Sequence, residues 1–263
     1  MFSTGAAQGG ERLIYAIGDI HGRADLLARL LPALKEDVRR RRDEGRERPL
    51  VVFLGDYVDK GPQSRVVIDI LLEFTGDTDF EPRFLLGNHE ETLLDFLAGR
   101  IRGRTWAEHG GDATLRSYGV HLAGEADWAD ARERLRQAVP SAHLRFLENL
   151  ELMIEADDLL FVHAGIRPGV PLDQQTTRDL LWIRSDFLKA PVTADRFIVH
   201  GHTPRDNVYG APGRLCLDSA AYMSGRLSAG IFVGDRVEIM DSISLTPVPF
   251  AISPAVPVSG SSV

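Results

Sequence analysis

With 263 residues, 44% hydrophobic and 26% charged, the chain has ordinary globular usage, which excludes wholesale disorder and is compatible with one continuous α/β core. A formal net charge of -8 argues against a general nucleic-acid binder, because counterion release needs a basic surface; an anionic substrate would need a local positive site. The lone Cys216 excludes an intrachain disulfide, and no apolar run approaches the ~20 residues that span a bilayer, so the expectation is a cytoplasmic protein with no membrane contact.

Residues 1–10 are small, Gly-rich and without period, and are expected to be disordered; the domain is assigned to 11–245. Leu13–Ile17 reads as a short buried strand, followed by an amphipathic helix over Arg23–Arg42 with Leu26, Leu27, Leu30, Leu31, Leu34 and Val38 at helical spacing. Pro32 should weaken or kink it. The run Arg39 to Arg42 lies where cations favour the helix dipole, beside Asp43, Glu44 and Glu47, and is read as a solvated helix end rather than a phosphate patch. Leu50–Leu54 is the second strand, and Ser64–Phe74 the second helix, with Val66, Val67, Ile70 and Leu71 on one face. Arg83–Leu86 and Glu90–Ala98 repeat the pattern, so three strand–site–helix units predict parallel βαβ connections.

Residues 104–150 lose the strand signal and read as helices separated by Gly110-Gly111, Gly119 and Gly124, an inserted helical cap. Short strands follow at Leu152–Ile154, Leu159–Val162, Arg196–Val199, Arg214–Leu217, Leu227–Val233 and Arg236–Met240. Turns at Asp157-Asp158 and Gly234-Asp235 predict hairpins and a mixed or antiparallel sheet. The fold class is α/β, with two packed sheets flanked by helices. Residues 246–263, rich in Pro, Ser and Val without period, are expected to form a flexible tail.

Chemistry gathers at the strand ends. Asp19, His21, Asp56, Asn88, His163 and His202 follow apolar runs, and such an oxygen and imidazole set without thiolate suits Mn²⁺, Fe²⁺ or Zn²⁺. Six donors exceed one four-coordinate site, whereas a shared carboxylate could bridge two ions about 3.5–4 Å apart. Singly, each motif also has a plain structural reading: Gly18-Asp19 as a turn, His163 or His200 as a packed histidine. In order, Gly-Asp-Ile-His-Gly, Gly-Asp-Tyr-Val-Asp-Lys-Gly, Gly-Asn-His-Glu, Val-His-Ala-Gly and His-Gly-His-Thr-Pro share one strand-end context.

From about Leu13 to Met240 this series resembles the calcineurin-like metallophosphoesterases, and more narrowly the bacterial phosphoprotein phosphatases that act on phosphoserine and phosphothreonine. The resemblance implies a β-sandwich of two mixed sheets flanked by helices and a dinuclear centre of divalent ions, manganese first, iron or zinc next. It implies Asp19 and His21 on one metal, Asp56 bridging, and Asn88, His163 and His202 on the other, with His200 competing against His202. It further implies His89 as general acid oriented by Asp59, and Arg184 as a phosphate-gripping arginine. Lys60 stands where the family pattern has arginine, so it offers a point charge rather than a bidentate fork. The implied substrate is a phosphorylated protein or peptide. A dinucleoside tetraphosphate hydrolase of the same superfamily is the alternative, disfavoured because its second motif lacks an equivalent of Asp59; an inactive binding scaffold is disfavoured because all six ligands are present. His109, where relatives usually carry Asn, either faces the leaving group or marks a solvent-facing helix break. Asp218 is read as a wall of the site, and Cys216 as core packing.

Overall fold

The computed structural model describes residues 12–41, 47–122, 127–192 and 195–252. In chain order the strands are β1 (Leu13–Ile17), β2 (Leu50–Phe53), β3 (Glu81–Phe84), β4 (Met153–Ala156), β5 (Leu159–Val162), β6 (Phe197–His200), β7 (Tyr209–Ala211), β8 (Arg214–Cys216), β9 (Ser228–Val233), β10 (Arg236–Asp241) and β11 (Val248–Pro249). They form two mixed sheets, one ordered β11-β10-β9-β1-β2-β3 and one ordered β4-β5-β6-β8-β7. The first keeps β1, β2 and β3 parallel, as the βαβ pattern predicts, and adds the β9–β10 hairpin antiparallel beside β1.

Side-chain alternation explains why the central strands are apolar throughout. Tyr15, Ile17, Val51 and Phe53 point outward, under α1 (Ala24–Arg41), α2 (Ser64–Phe74) and α3 (Asn88–Leu97). Ile14, Ala16, Leu50 and Val52 point inward to meet Phe161, Val199 and Leu215 of the second sheet. Leu160, Val162 and Ile198 face the far side, covered by α8 (Thr177–Trp182) and α9 (Ser185–Lys189). Strands covered on both faces lose the polar alternation of a half-solvated sheet. The cap consists of α4 (Gly103–Ala107), α5 (Gly111–Ser117), α6 (Trp128–Ala138) and α7 (Ser141–Glu148), and its Trp106, Leu115, Leu135 and Leu147 join the helix-side core.

Several sequence expectations need correction. Helix α1 runs on through Pro32, and both Pro32 and Ala28, whose carbonyl lacks an N–H partner there, are exposed, so water can hydrate the gap; the other elements differ more from expectation. The buried face of α2 is Ser64, Val67, Ile68, Leu71 and Phe74, while Val66 is 43% exposed. The third strand ends two residues earlier than expected and α3 begins at Asn88, putting Asn88 and His89 in a helical first turn. Arg41 is not merely solvated, since it pairs with Asp37 (2.7 Å) and with Glu238 of β10. Part of the expected tail is ordered, because β11 pairs with β10 at Glu238 and Ile239. Residues 1–10, Arg42, Asp43, Glu44, Gly124 and 253–263 lie outside the described residues.

Candidate metal centre

The site begins with sharp turns at strand ends. His21, Asp56, Asp59, Lys60 and His202 all have positive φ (45°, 53°, 69°, 64° and 63°), a region that costs non-glycine residues of order 1–3 kcal/mol each and persists only where surrounding contacts over-determine it. Those contacts are present. The Asp56 carbonyl accepts the N–H groups of Ile20 and His21 (3.0 and 2.8 Å), Tyr57 accepts from Gly22 (2.8 Å), and His21 accepts from Gly61 (3.1 Å), so the first two loops are stitched together. Close approach also needs missing side chains: a Cβ on Gly87 would overlap Asp56, and one on Gly201 would overlap the Asp19 carboxylate.

Asp56 lies at the middle. Its Oδ2 faces His21 Nε2 (3.4 Å) and His89 Nε2 (3.9 Å), and its Oδ1 faces His163 Nε2 (3.3 Å). Two groups able to hold a metal ion therefore share it: His21, Asp56 and His89, and Asp56, His163 and His202, all buried. Asn88 joins the second group, its Oδ1 2.9 Å from His163 Nε2 and 2.8 Å from His202 Nδ1. Asp19 is buried nearby, but its carboxylate accepts the His202 backbone N–H (3.0 Å) and is in neither group. His200 is buried outside both, against the Phe187 ring at 5.1 Å.

The donor chemistry fits divalent cations. His21 Nδ1 lies 2.9 Å from the Val58 carbonyl and His163 Nδ1 2.7 Å from the Leu54 carbonyl, so each Nδ1 carries the proton and each Nε2 turns a lone pair inward. The His163 lone pair then meets the Asn88 oxygen, two acceptors face to face, which a shared cation would reconcile. Charge balance agrees. Burial, then the charges of Asp218 and Asp56, hold Asp19 well above the usual carboxylate range, and burial brings Asp218 up to about 6. Burial opposes ionisation of Asp56 too, yet any proton on the surrounding histidines, His163 foremost, holds it below that range. Burial keeps His21 and His163 low and takes His202 down to about 2, so these imidazoles are neutral, as metal ligation requires.

His89 differs from these rings. Burial lowers its basicity, but Asp56 and Asp59 outweigh that and raise it above the ordinary imidazole value, so it retains a proton. Its Nδ1 is 2.8 Å from Asp59 Oδ2. Asp59 is in turn fixed by the cap: Trp106 Nε1–H donates to Oδ2 (3.1 Å) and the Thr114 hydroxyl to Oδ1 (2.6 Å). The two expected phosphate ligands reach the cluster from outside. Lys60 Nζ lies 2.9 Å from His21 Nε2 and 4.7 Å from the Tyr222 ring centroid, and the exposed Arg184 places Nε 3.0 Å from His202 Nε2.

One contributor escapes the sequence reading. Glu90, which the sequence marks as a motif end and a helix start with no role in the site, accepts the backbone N–H groups of Asp56 (2.8 Å), Tyr57 (2.7 Å), Val58 (3.1 Å) and Gly87 (3.0 Å). Burial and the Asp56 charge push it up to about 8, against the pull of those donors. A groove of about 610 Å³ bounded by Ile166, Leu172, Phe187, Val192 and Arg196 lies elsewhere, and none of the candidate residues lines it.

Residues 12–234 match the calcineurin-like phosphoesterase family. Among curated proteins, the chain is 28% identical over 233 residues to the asymmetrical bis(5'-nucleosyl)-tetraphosphatase PrpE of Anoxybacillus flavithermus, covering 81% of this chain and 87% of the relative. It is 26% identical over 222 residues to serine/threonine-protein phosphatase 1 of Salmonella typhimurium, covering 82% and 90%. Among solved structures, a putative diadenosine tetraphosphatase superposes with a TM-score of 0.58 at 22% identity over 94% of this chain and 97% of the other. A cold-active protein-tyrosine phosphatase of a Shewanella species gives 0.61 at 18% identity over 92% and 81%, and both support the fold.

Proposed function

The chain belongs to the calcineurin-like phosphoesterases, hydrolases that use divalent metals, and on that premise we propose that it cleaves phosphomonoesters of protein serine and threonine side chains. The observation that carries this reading is the His89–Asp59 pair, 2.8 Å apart, with the His89 Nε2 edge turned toward Asp56. A proton-bearing imidazole there is what a poor alkoxide leaving group needs.

In this reading Asp56 would be shared between two divalent ions, with Asp19 and His21 available to hold one and Asn88, His163 and His202 the other. When bound, the ions, manganese first and iron or zinc next, supply positive charge to the phosphoryl oxygens and lower the pKa of the attacking water. Lys60 and Arg184 bring two further cations to the phosphoryl oxygens and orient the ester. Water forms the new P–O bond as the ester P–O bond breaks in line, and His89 delivers its Nε2 proton to the departing oxygen. Alcohol and inorganic phosphate leave, and the imidazole regains a proton from solvent. Asp59 takes no proton; it keeps Nδ1–H pointing at itself and Nε2 pointing at the ester.

A second reading is favoured by the relatives' names, since several are bis(5'-nucleosyl)-tetraphosphatases. The two are separated by metal-reconstituted assays in parallel on a phosphoserine peptide, a phosphotyrosine peptide and diadenosine tetraphosphate. Higher kcat/KM on a phosphopeptide is the expected result, and a preference for the dinucleotide replaces the first reading with the second.

A further inference from the structure

Arg214 is a buried arginine without an acid beside it. It lies in β8 between Ile198 of β6 and Ala211 of β7, is 4% exposed, and no carboxylate among the described residues offsets its charge. A charge buried in that way costs stability that an apolar residue on β8 would avoid. Its two terminal nitrogens donate to the carbonyls of Phe187 and Ala190, and the guanidinium lies over the Phe187 ring, 4.6 Å from the centroid. Those carbonyls close the last turn of α9, where C=O groups have no partner inside the helix. With only five residues, α9 is too short to persist by its own hydrogen bonds, so its surroundings decide where it stands. On the inner side Phe187 fills the space left by Gly165, where a Cβ would overlap its ring, and meets His200 edge-on at 5.1 Å. On the outer side Asp186 pairs with Arg167 at 3.4 Å, an exposed contact of the kind that contributes little. Arg184 immediately precedes α9, and its carbonyl accepts the Leu188 N–H (2.8 Å), so the backbone that carries its guanidinium is part of the turn that Arg214 grips from the other end.

We propose that Arg214 is a positioning residue for substrate: by fastening the C-terminal carbonyls of α9 to β8, it holds Arg184 where the guanidinium reaches the phosphoryl oxygens. The inference rests on the assignment of Arg184 to those oxygens in the reading above, and it holds for either ester. The planar fork matters, because one guanidinium spans both carbonyls, which a lysine ammonium or an apolar side chain cannot do. Without it two carbonyls lose their donors, and α9 opens from its C-terminal end so that water can reach them. Arg184 then loses its fixed starting point. A long, exposed side chain has to be ordered by the phosphate itself, and that ordering weakens binding. A role in stability alone predicts a different pattern, in which every contact to phosphate suffers alike.

The test is a cycle of wild type, Arg214→Met, Arg184→Ala and the double variant, each loaded with Mn²⁺, in which calorimetry reads the affinity for inorganic phosphate without turnover. Arg184→Ala is expected to weaken phosphate about tenfold or more, the loss of a charge-assisted contact, and Arg214→Met about three- to tenfold at equal Mn²⁺ content. In the Arg184→Ala background, Arg214→Met is expected to have no further effect. Arg214→Lys keeps the charge and one of the two contacts, so its affinity should fall between wild type and Arg214→Met, and it carries the same cycle if Arg214→Met does not fold. Equal weakening with and without Arg184 overturns the inference and leaves the phosphomonoester reading standing, since the loss is then general. Unchanged phosphate affinity in the Arg214 variants does the same. An Arg184→Ala protein that binds phosphate as tightly as wild type removes Arg184 from the reading and the inference with it.

Discussion

At the scale of single residues, the chemistry turns on how differently one environment treats five imidazoles. His21, His163, His200 and His202 are pushed down and neutral, while His89 is pushed up, and the difference is Asp59 at 2.8 Å. His89→Asn is expected to lower kcat by about 10²–10⁴-fold, the usual contribution of a positioned acid, while the Mn²⁺ content of the purified protein stays at the wild-type value. Parallel loss of metal would make His89 a ligand instead, which its place in the His21, Asp56 and His89 group makes a real competitor. Sequence separates these roles poorly. Gly-Asn-His-Glu announces Asn88 and His89, but only the fold shows which ring nitrogen faces a carboxylate. His109 left two readings open that only its 6.2 Å approach to His89 narrows.

At the scale of elements, two segments distant in sequence hold the strand-end loops. Glu90, in the first turn of α3, gathers three successive N–H groups from the loop after β2 and one from its own N-cap. All four N–H groups aim at the two carboxyl oxygens, and a Gln amide would turn a donor toward two of them, leaving buried donors unsatisfied at about 1–3 kcal/mol each. Glu90→Gln should therefore lower stability by roughly 2–3 kcal/mol in urea titration and weaken Mn²⁺ binding about 10–100-fold in calorimetry, as loss of a ligand-orienting contact does. The cap acts on the dyad in the same way. Thr114→Val removes the 2.6 Å hydrogen bond to Asp59, and the expected outcome is a several-fold lower kcat, with KM for a small aryl phosphate little changed. An equal loss in KM would show that the cap shapes binding instead. These long-range bonds explain where sequence reading stopped. Periodicity located α2 to the residue but gave it the wrong face, since Val66 and Ile70 mimic the spacing of the true stripe through Val67, Ile68 and Leu71. The three residues of β7 and the two of β11 are too short for any period, and Tyr209 and Val248 are exposed.

At the scale of the whole molecule, the candidate centre exists only where two sheets meet. Asp19, His21 and Asp56 come from loops of the first sheet and Asn88 from the first turn of α3, His163 and His202 from the loops that follow β5 and β6 of the second sheet, and the layer of Ile14, Val52, Phe161 and Val199 sets their separation. The apolar strands and the Gly-Asp punctuation made that architecture readable, because strands buried on both faces and turns that bear ligands each leave a dense local pattern. Burying so many imidazoles neutral couples the whole fold to acid. His200 illustrates it without the complication of ligation: burial takes it down to about 3, and its Nε2 has no hydrogen-bond partner among the described residues. An unfolded histidine takes up its proton near pH 6.5, so as pH falls from there toward 3 the unfolded chain binds a proton that the native chain refuses, and native stability declines. At about 1.4 kcal/mol per pH unit, this single residue removes roughly 3 kcal/mol by pH 4. His200→Gln abolishes that titration. In metal-free protein, the stability gap between pH 7 and pH 4, measured by urea unfolding, should narrow by that amount, and any fixed effect of the substitution on packing against Phe187 cancels in the difference. An unaltered gap would mean that His200 is hydrated in the native state and that His21, His163 and His202 carry the acid sensitivity by themselves.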